Sequence, residues 1–313
     1  MARVAVIIVH WNCWDVLARC LDALAQQTWR DFSVTIVDNA SSQPMPAQLL
    51  ERCPGAVLVQ NATNLGFAAA NNQAVLQHSG NSEWLALLNP DAFAQPDWLE
   101  QLMQASAAAP DCSVFASRQI DATHPELLDG DGDAYHISGR AWRIGHGQPI
   151  PQNKPAVEHV FSPCAASGLY RRSAFMQVGG FDEDFFCYFE DVDLGFRLQL
   201  AGYHCLLVRT AVVHHLGATS TGGQHSDFAL YHGHRNLVWT YFKNMPGALF
   251  WLLLPLHLAI NFFTLLHHAQ HSKVIWRAKR DAFFGLLTIK AKRNAVQCKR
   301  TQSIASLWRM MAR

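Results

Sequence analysis

Between Gly179 and Gly202 the chain reads GGFDEDFFCYFEDVDLGFRLQLAG, with six carboxylates packed between Asp182 and Asp193. A solvated acidic face carries few large apolar side chains, yet Phe181, Phe185, Phe186, Tyr188 and Phe189 crowd these acids. Carboxylates beside desolvated surface bind protons more tightly, which suits them to act as bases. From Glu190 the spacing becomes helical, with Leu194, Leu198 and Leu200 apolar and Asp193 one turn before Arg197. These residues alone admit two readings. One is a proton-accepting site; the other is a buried helix start at which Glu190 and Asp191 favour the positive end of the helix dipole.

The elements upstream place further polar groups. VAVIIVHW, VTIVDNASS, AVLVQN and WLALLNPD each begin as an apolar, β-branched run and end in a polar turn, and helical stretches such as Val16–Gln26 and AAANNQAVLQHS lie between them. Strands alternating with helices predict an α/β fold built on a Rossmann-like, doubly wound, mostly parallel sheet. Such sheets bind ligands beyond the carboxyl ends of their strands, where this chain carries Asp38 with Asn39, Asn61 with Asn64, and Asn89 with Asp91. Each alone is an ordinary turn residue. Side by side they make a site. Residues 122–160, rich in Gly, Pro and His, read as a long ordered excursion or lid. DGDGDAYHISGR within it imitates a calcium loop but has Arg140 where a bidentate Glu is required, which excludes an EF-hand.

Half of the 313 residues are apolar, enough for a substantial core, and the net charge is +1. That balance conceals an asymmetry. Residues 1–272 hold 14 Lys and Arg against 23 acids, whereas 273–313 hold 11 against Asp281 alone. A basic tail suits anionic lipid or nucleic acid, and the adjoining uncharged run Ala248–Leu266 favours lipid. That run has 19 residues, just enough to cross a bilayer, but His257, Asn261 and Thr264 recur along it as a polar stripe. The expectation is a helix or hairpin lying in the membrane leaflet, with Lys273, Arg277, Lys279, Arg280 and the cluster at 290–300 on lipid phosphates; a buried core or dimer helix is the alternative. The eight cysteines lack a C-x-x-C pair, and MARVAVIIVHWN lacks the features of a signal peptide, so reduced thiols in the cytosol are expected.

In order and spacing, VIIVHWN, VDNASS, NLGFAAANN, LLNPD, the acidic segment, VVHHLGATS and the later HRN resemble the inverting nucleotide-sugar glycosyltransferases of family 2, with the GT-A fold, and look most like their bacterial rhamnosyltransferase-like branch. The resemblance spans Val4 to Asn236. It implies a glycosyltransferase domain over residues 1–240, followed by membrane-associated apolar or amphipathic helices and a basic tail over 241–313. It places Asp38 on the nucleotide base, with Asn39, Asn64, Gly66, Asn72 and Asn89 around the donor. It assigns Asp91 and His214 to a divalent metal, Mg²⁺ or Mn²⁺, and Asp191 to the catalytic base with Glu190 assisting. Asp193 is left to structure through Arg197, and Asp182 and Asp184 to the turn before the helix. Arg235 either holds a diphosphate or ties the tail to the body.

The implied reaction is inverting sugar transfer from a nucleotide-sugar donor, dTDP-rhamnose first and a UDP-sugar second, to a hydroxyl of a glycan acceptor. That acceptor is expected to be lipid-linked, in cell-envelope polysaccharide synthesis at the cytoplasmic face of the inner membrane. A non-catalytic, membrane-associated nucleotide-sugar-binding partner or sensor is the competing reading. No G-x-G-x-x-G follows the first strand, which sets aside dinucleotide-dependent oxidoreductases. No Gly-rich loop with a Lys marks a nucleotidyltransferase. The tail lacks the interleaved aromatics of a nucleic-acid binder. Nothing in the sequence sets the oligomeric state.

Overall fold

The computed structural model describes residues 2–217, 226–267 and 269–313. The N-terminal half follows the expected alternation: β1 (Val4–His10), α1 (Trp14–Ala25), β2 (Phe32–Asp38), β3 (Val57–Gln60), α2 (Gly66–His78), β4 (Trp84–Leu88), β5 (Ala92–Ala94) and α3 (Trp98–Ala108). Strand β6 (Val114–Asp121) leads into the excursion, which supplies β7 (Leu128–Gly130), β8 (Asp133–Tyr135), β9 (Ala141–Arg143) and β10 (Val157–Val160). The acidic segment lies among β11 (Ser167–Arg171), α4 (Arg172–Gln177), α5 (Glu190–Leu200) and β12 (Cys205–His215). Helices α6 (Asp227–Asn244), α7 (Gly247–His267), α8 (Ser272–Phe284), α9 (Leu286–Cys298) and α10 (Ile304–Met310) complete the described chain.

The central sheet runs β10-β12-β6-β11-β4-β1-β2-β3, with β5 added to β12 and β7 to β6. Strands β4, β1, β2 and β3 are mutually parallel, as are β6 and β12, and antiparallel β11 joins the two sets. Every residue of β1 is buried because helices cover both faces. Val4, Val6 and Ile8 pack against Leu17, Leu21 and Leu24 of α1, while Ala5, Ile7 and Val9 meet Ala70, Ala74 and Val75 of α2. Each fully buried aliphatic side chain of this kind contributes about 2 kcal/mol. Since β2 and β4 flank β1 on opposite sides, the strand order reverses there, and a crevice opens at the carboxyl ends.

The C-terminal helices do not stand apart from this body. A boundary at residue 240 falls inside α6, and Tyr241, Leu249, Leu253, Leu307 and Met311 share a core with Tyr135, Phe161, Val192 and Phe196. The acidic segment is wired to them. Lys243 pairs with Asp182 at 2.5 Å and Asp193 at 2.7 Å, Lys292 pairs with Asp182 and Asp184, and Arg197 meets Asp193 at 2.8 Å. Burial by itself would raise the Asp182 carboxyl, but the two lysines hold it down at about 2. Asp182 also accepts from the Asp184 N–H, forming the expected turn.

Two expectations for the tail are corrected. Lys279 is turned inward onto the His234 carbonyl and Asn261, Lys292 onto the acids, and Arg293 onto the carbonyls of Phe242 and Met245, so these cations do not face lipid. The polar stripe also faces inward: His257 is buried, donates from Nδ1 to the Ser138 carbonyl at 2.8 Å, and stacks on Tyr241. The opposite face of α7 exposes Trp251, Leu252, Leu258, Phe262, Phe263 and Leu266, and α7 is long and apolar enough to cross a membrane.

Candidate active site

A cavity of about 350 Å³ opens at the carboxyl ends of the parallel strands. Asn39, Asn64, Gly66, Asn89 and Asp91 line one side; Glu190 and Asp191, at the first turn of α5, line the other. The sequence-predicted donor groups and base therefore converge from separate elements. Asn39 organises the donor side: its Nδ2 donates to Asn64 Oδ1 at 2.8 Å and its Oδ1 accepts from the Leu65 N–H at 3.0 Å and Asn61 Nδ2 at 3.1 Å. Gly66 has a φ of +83°, and a Cβ there would lie 2.6 Å from the Phe186 ring. Only glycine lets α2 start so close to the acidic segment.

Asp38 lies behind this surface. Its Oδ1 accepts from the Ser41 N–H at 2.9 Å and lies 3.5 Å from His10 Nε2, and His10, its ring tilted against Trp14, forms part of the cavity wall. Burial lowers the His10 pKa to about 4 despite Asp38, so this imidazole is neutral. Asn72 is corrected from a nucleotide contact to a structural clamp. Its Oδ1 accepts from the Phe181 N–H and its Nδ2 donates to the Phe181 carbonyl and Glu183.

The histidine assignment is also corrected. Adjacent residues of β12 face opposite sides of the sheet. His214 turns away from the cavity, with Nε2 3.3 Å from Gln95 Nε2, whereas His215 points in, its Nε2 3.2 Å from Asp91 Oδ1. His215 Nδ1 contacts Asp129 at 2.7 Å. Burial alone would lower the His215 pKa, but hydrogen bonds and charge from Asp129 and Asp91 raise it to about 9. The motif VVHHLGATS ends at Ser220, outside the described residues.

On the base side, Asp191 Oδ2 accepts from the Ala165 N–H at 3.1 Å and Oδ1 from the Val192 N–H at 2.8 Å. Burial raises its pKa, and those two N–H groups and Arg143 offset part of the rise. Glu190 is raised well above the usual range by burial and by the adjacent Asp191 charge. Its Oε2 is buried and has no hydrogen-bond partner among the described residues.

The approach to α5 is strained. Phe186, Tyr188 and Phe189 have φ values of 66°, 64° and 68°, unusual for aromatic side chains. Phe186, with ψ −66°, sits at the centre of a γ-turn closed by the Cys187 N–H on the Phe185 carbonyl at 2.8 Å. Asn236 clamps this turn, donating from Nδ2 to the carbonyls of Phe185, Cys187 and Tyr188. Arg235 donates to the carbonyls of Asp184 and Phe185, and its guanidinium lies 4.3 Å above Trp239. It ties α6 to the body and does not line the cavity. His10, Arg143, His215 and Asn236 are site or support residues that the sequence reading missed.

Residues 5–179 match the glycosyl transferase family 2 model. The chain is 33% identical over 246 residues to an N-acetylglucosaminyl-diphospho-decaprenol L-rhamnosyltransferase of Mycobacterium tuberculosis, covering 69% of this chain and 77% of the relative. It is 26% identical to the rhamnosyltransferase WbbL of Escherichia coli, over 64% of this chain and 78% of the relative. Among solved structures, the mannosyltransferase PcManGT from Pyrobaculum calidifontis, in complex with GDP-Man and Mn²⁺, superposes with a TM-score of 0.56 at 16% identity, covering 98% of this chain and 86% of that one. GalNAc-T7 with UDP, GalNAc and Mn²⁺ gives a TM-score of 0.60 at 16% identity, over 78% of this chain and 48% of that one. The parallel sheet, the cavity at its carboxyl edge and this family match agree: the chain belongs to glycosyl transferase family 2 and is a glycosyltransferase of the GT-A fold.

Proposed function

We propose that the protein transfers rhamnose, with inversion, from dTDP-rhamnose to a hydroxyl of a lipid-linked glycan at a membrane surface. The reading rests on one observation above all: a single cavity holds a half-buried carboxylate, Asp191, facing the polar donor-side set of Asn39, Asn64, Asn89 and Asp91. The rhamnosyl donor and the prenyl-diphosphate-linked acceptor are carried over from the mycobacterial relative's name.

In this scheme Asp191, held in place by the Ala165 and Val192 N–H groups, takes the acceptor hydroxyl's proton. The oxygen attacks the anomeric carbon opposite the departing diphosphate, which inverts the centre. Glu190, holding its proton tightly, has an unpartnered Oε2 with which to orient the acceptor. His10, backed by Asp38, forms the part of the cavity wall where a pyrimidine base is accommodated.

The residues also suit a divalent cation. Asp91 is a buried carboxylate, and the buried Oδ1 of Asn89 has no hydrogen-bond partner among the described residues. Asp91 and His215 would hold Mg²⁺ or Mn²⁺, which neutralises charge on a departing diphosphate. Because His215 lies between two carboxylates, it must release a proton to bind metal, so metal affinity rises with pH.

The exposed apolar face of α7, with Trp276, Phe283, Phe284 and Leu287 exposed on α8 and α9, supports docking on the membrane that carries the acceptor. The cytoplasmic leaflet is favoured because nucleotide sugars are cytosolic. The test uses dTDP-rhamnose with a short-chain N-acetylglucosaminyl-diphospho-prenol, with and without chelator. Asp191→Asn abolishes transfer while calorimetry still detects donor binding. Turnover retained in that variant overturns the base assignment, and full wild-type activity in excess chelator overturns the metal.

A further inference from the structure

The excursion between β6 and β10 does more than cover the cavity. Its DGDGD run spaces three aspartates two residues apart, and the fold gives them separate partners. Asp131 is taken by Arg118, at 2.9 and 2.8 Å, and by Arg209 at 3.1 Å. Asp129 meets His215. Asp133 lies directly across the β8–β9 hairpin from Arg143, so the two side chains share a face. On that face one donor atom each from Asp133, Cys164 and Asp191 lie within 4.8 Å of one another. Arg143, which lines the same cavity, is the cation that the fold sets beside this cluster.

Arg143 also reaches the donor side. Its Nη1 contacts Asp129 at 2.5 Å, Asp129 contacts His215 at 2.7 Å, and His215 contacts Asp91 at 3.2 Å. We propose that Arg143 is a positioning residue for sugar transfer: it is the counter-cation of the Asp133–Asp191 pair and links that pair, through Asp129 and His215, to Asp91. This rests on Asp191 being the base. When Asp191 accepts the hydroxyl proton, the carboxylate pair loses a negative charge. The breaking anomeric C–O bond leaves its electron pair, and a gained negative charge, on the diphosphate. Before transfer the guanidinium holds Asp191 ionised and ready to accept the proton, and its link through Asp129 and His215 to Asp91 extends toward the side on which the diphosphate gains its negative charge.

The groups facing Asp191 set the test. They are Glu190 on its own helix, Asp133 and Arg143 on the hairpin, and Cys164 and Tyr170 on the β10–β11 side. Asp133, raised well above its ordinary range by burial and then by the Asp191 charge, holds its proton while Asp191 ionises, whereas Arg143 favours that ionisation. Carboxyl ¹³C titration of the full chain labelled at aspartate, with Asp191 assigned by its absence in Asp191→Asn, reads the coupling without substrate. Arg143→Met moves the Asp191 titration up by about one pH unit or more, Arg143→Lys restores most of it, and Asp133→Asn leaves it near its wild-type position.

The acidic limb of kcat, measured with dTDP-rhamnose and the same prenol acceptor, moves with the titration. An Asp191 titration unmoved by Arg143→Met overturns the proposal whatever the activity. A titration that moves while the acidic limb stays leaves the electrostatic link standing and overturns Asp191 as the base. If Arg143→Met does not fold, Arg143→Gln carries the same upward shift.

Discussion

Asn236 is the residue on which the geometry of the base most depends, although it touches no substrate. Its amide nitrogen reaches the carbonyls of Phe185, Cys187 and Tyr188 at 2.9, 3.0 and 2.7 Å, and its oxygen accepts from Arg235 Nε. The side chain is fully buried. An amide has two N–H bonds, so one of those contacts is shared. Asn236→Ala removes about two net hydrogen bonds and strands buried carbonyls, a loss of about 2–4 kcal/mol. It also releases residues held at positive φ, each storing on the order of 1 kcal/mol or more. The segment then relaxes immediately before Glu190 and Asp191, and a displacement of about 1 Å at a base can cost on the order of 100-fold in rate. Urea unfolding followed by circular dichroism gives the stability change, and steady-state kinetics the rate. Asn236→Asp separates shape from donation, because it directs an acceptor at three carbonyl oxygens and is worse at pH 8 than at pH 5. An Asn236→Ala protein within about 0.5 kcal/mol of wild type, with unchanged kcat, refutes the clamp.

Asp182 gives the chain an acid-sensitive joint. Its folded pKa of about 2 lies below the free value of 3.8, so its contribution of roughly 2 kcal/mol is complete above the free value and is lost as pH falls from about 4 to 2. Asp182→Asn flattens that limb of the stability–pH curve; an unchanged limb contradicts the lysine pairing. Gly66→Ala destabilises by about 2 kcal/mol or more, because its Cβ meets the Phe186 carbonyl at 2.7 Å, and unaltered melting would show that the contact yields freely. His215→Gln weakens Mn²⁺ activation at least about tenfold whereas His214→Gln leaves it within about twofold, and the opposite ranking in a metal titration would restore the sequence-based assignment.

The strand ends were legible because each depends on local pattern alone. An apolar run followed by Asp38-Asn39 or Asn89-Pro90-Asp91 specifies a buried strand and its polar exit without knowledge of distant partners. The pairing of Asp193 with Arg197 was readable for the same reason, being one helical turn. The choice between His214 and His215 was not local. Alternation says that the two face opposite ways, but which one faces in depends on the register of β12 against β6, and that register shifts between Val208 and Val212. Counting along a motif cannot detect such a shift. Asn72 and Arg235 failed differently: an amide or guanidinium near a ligand site reads as a ligand contact, and nothing in composition shows that the Phe181 backbone, more than a hundred residues from Asn72, needs it.

The same limit explains the tail. A run of lysines and arginines beside an apolar helix reads as a lipid-facing surface, because sequence shows charge without showing what is paired. Here the acidic segment was the missing partner. Lys292 of the tail and Lys243 of α6 meet on Asp182, with Asp193 between Lys243 and Arg197. Neutralising those acids leaves the remaining carboxylates of the segment, Glu190 and Asp191, beside Arg143 and Asp133 at the cavity. The six acids thus divide by partner. Asp182, Asp184 and Asp193 hold the C-terminal helices to the body, and Glu183 is held by Asn72. The pair at the start of α5 is withheld from lysine, which keeps its proton affinity high. A base needs that isolation, and the docked helices provide it by binding the neighbours instead.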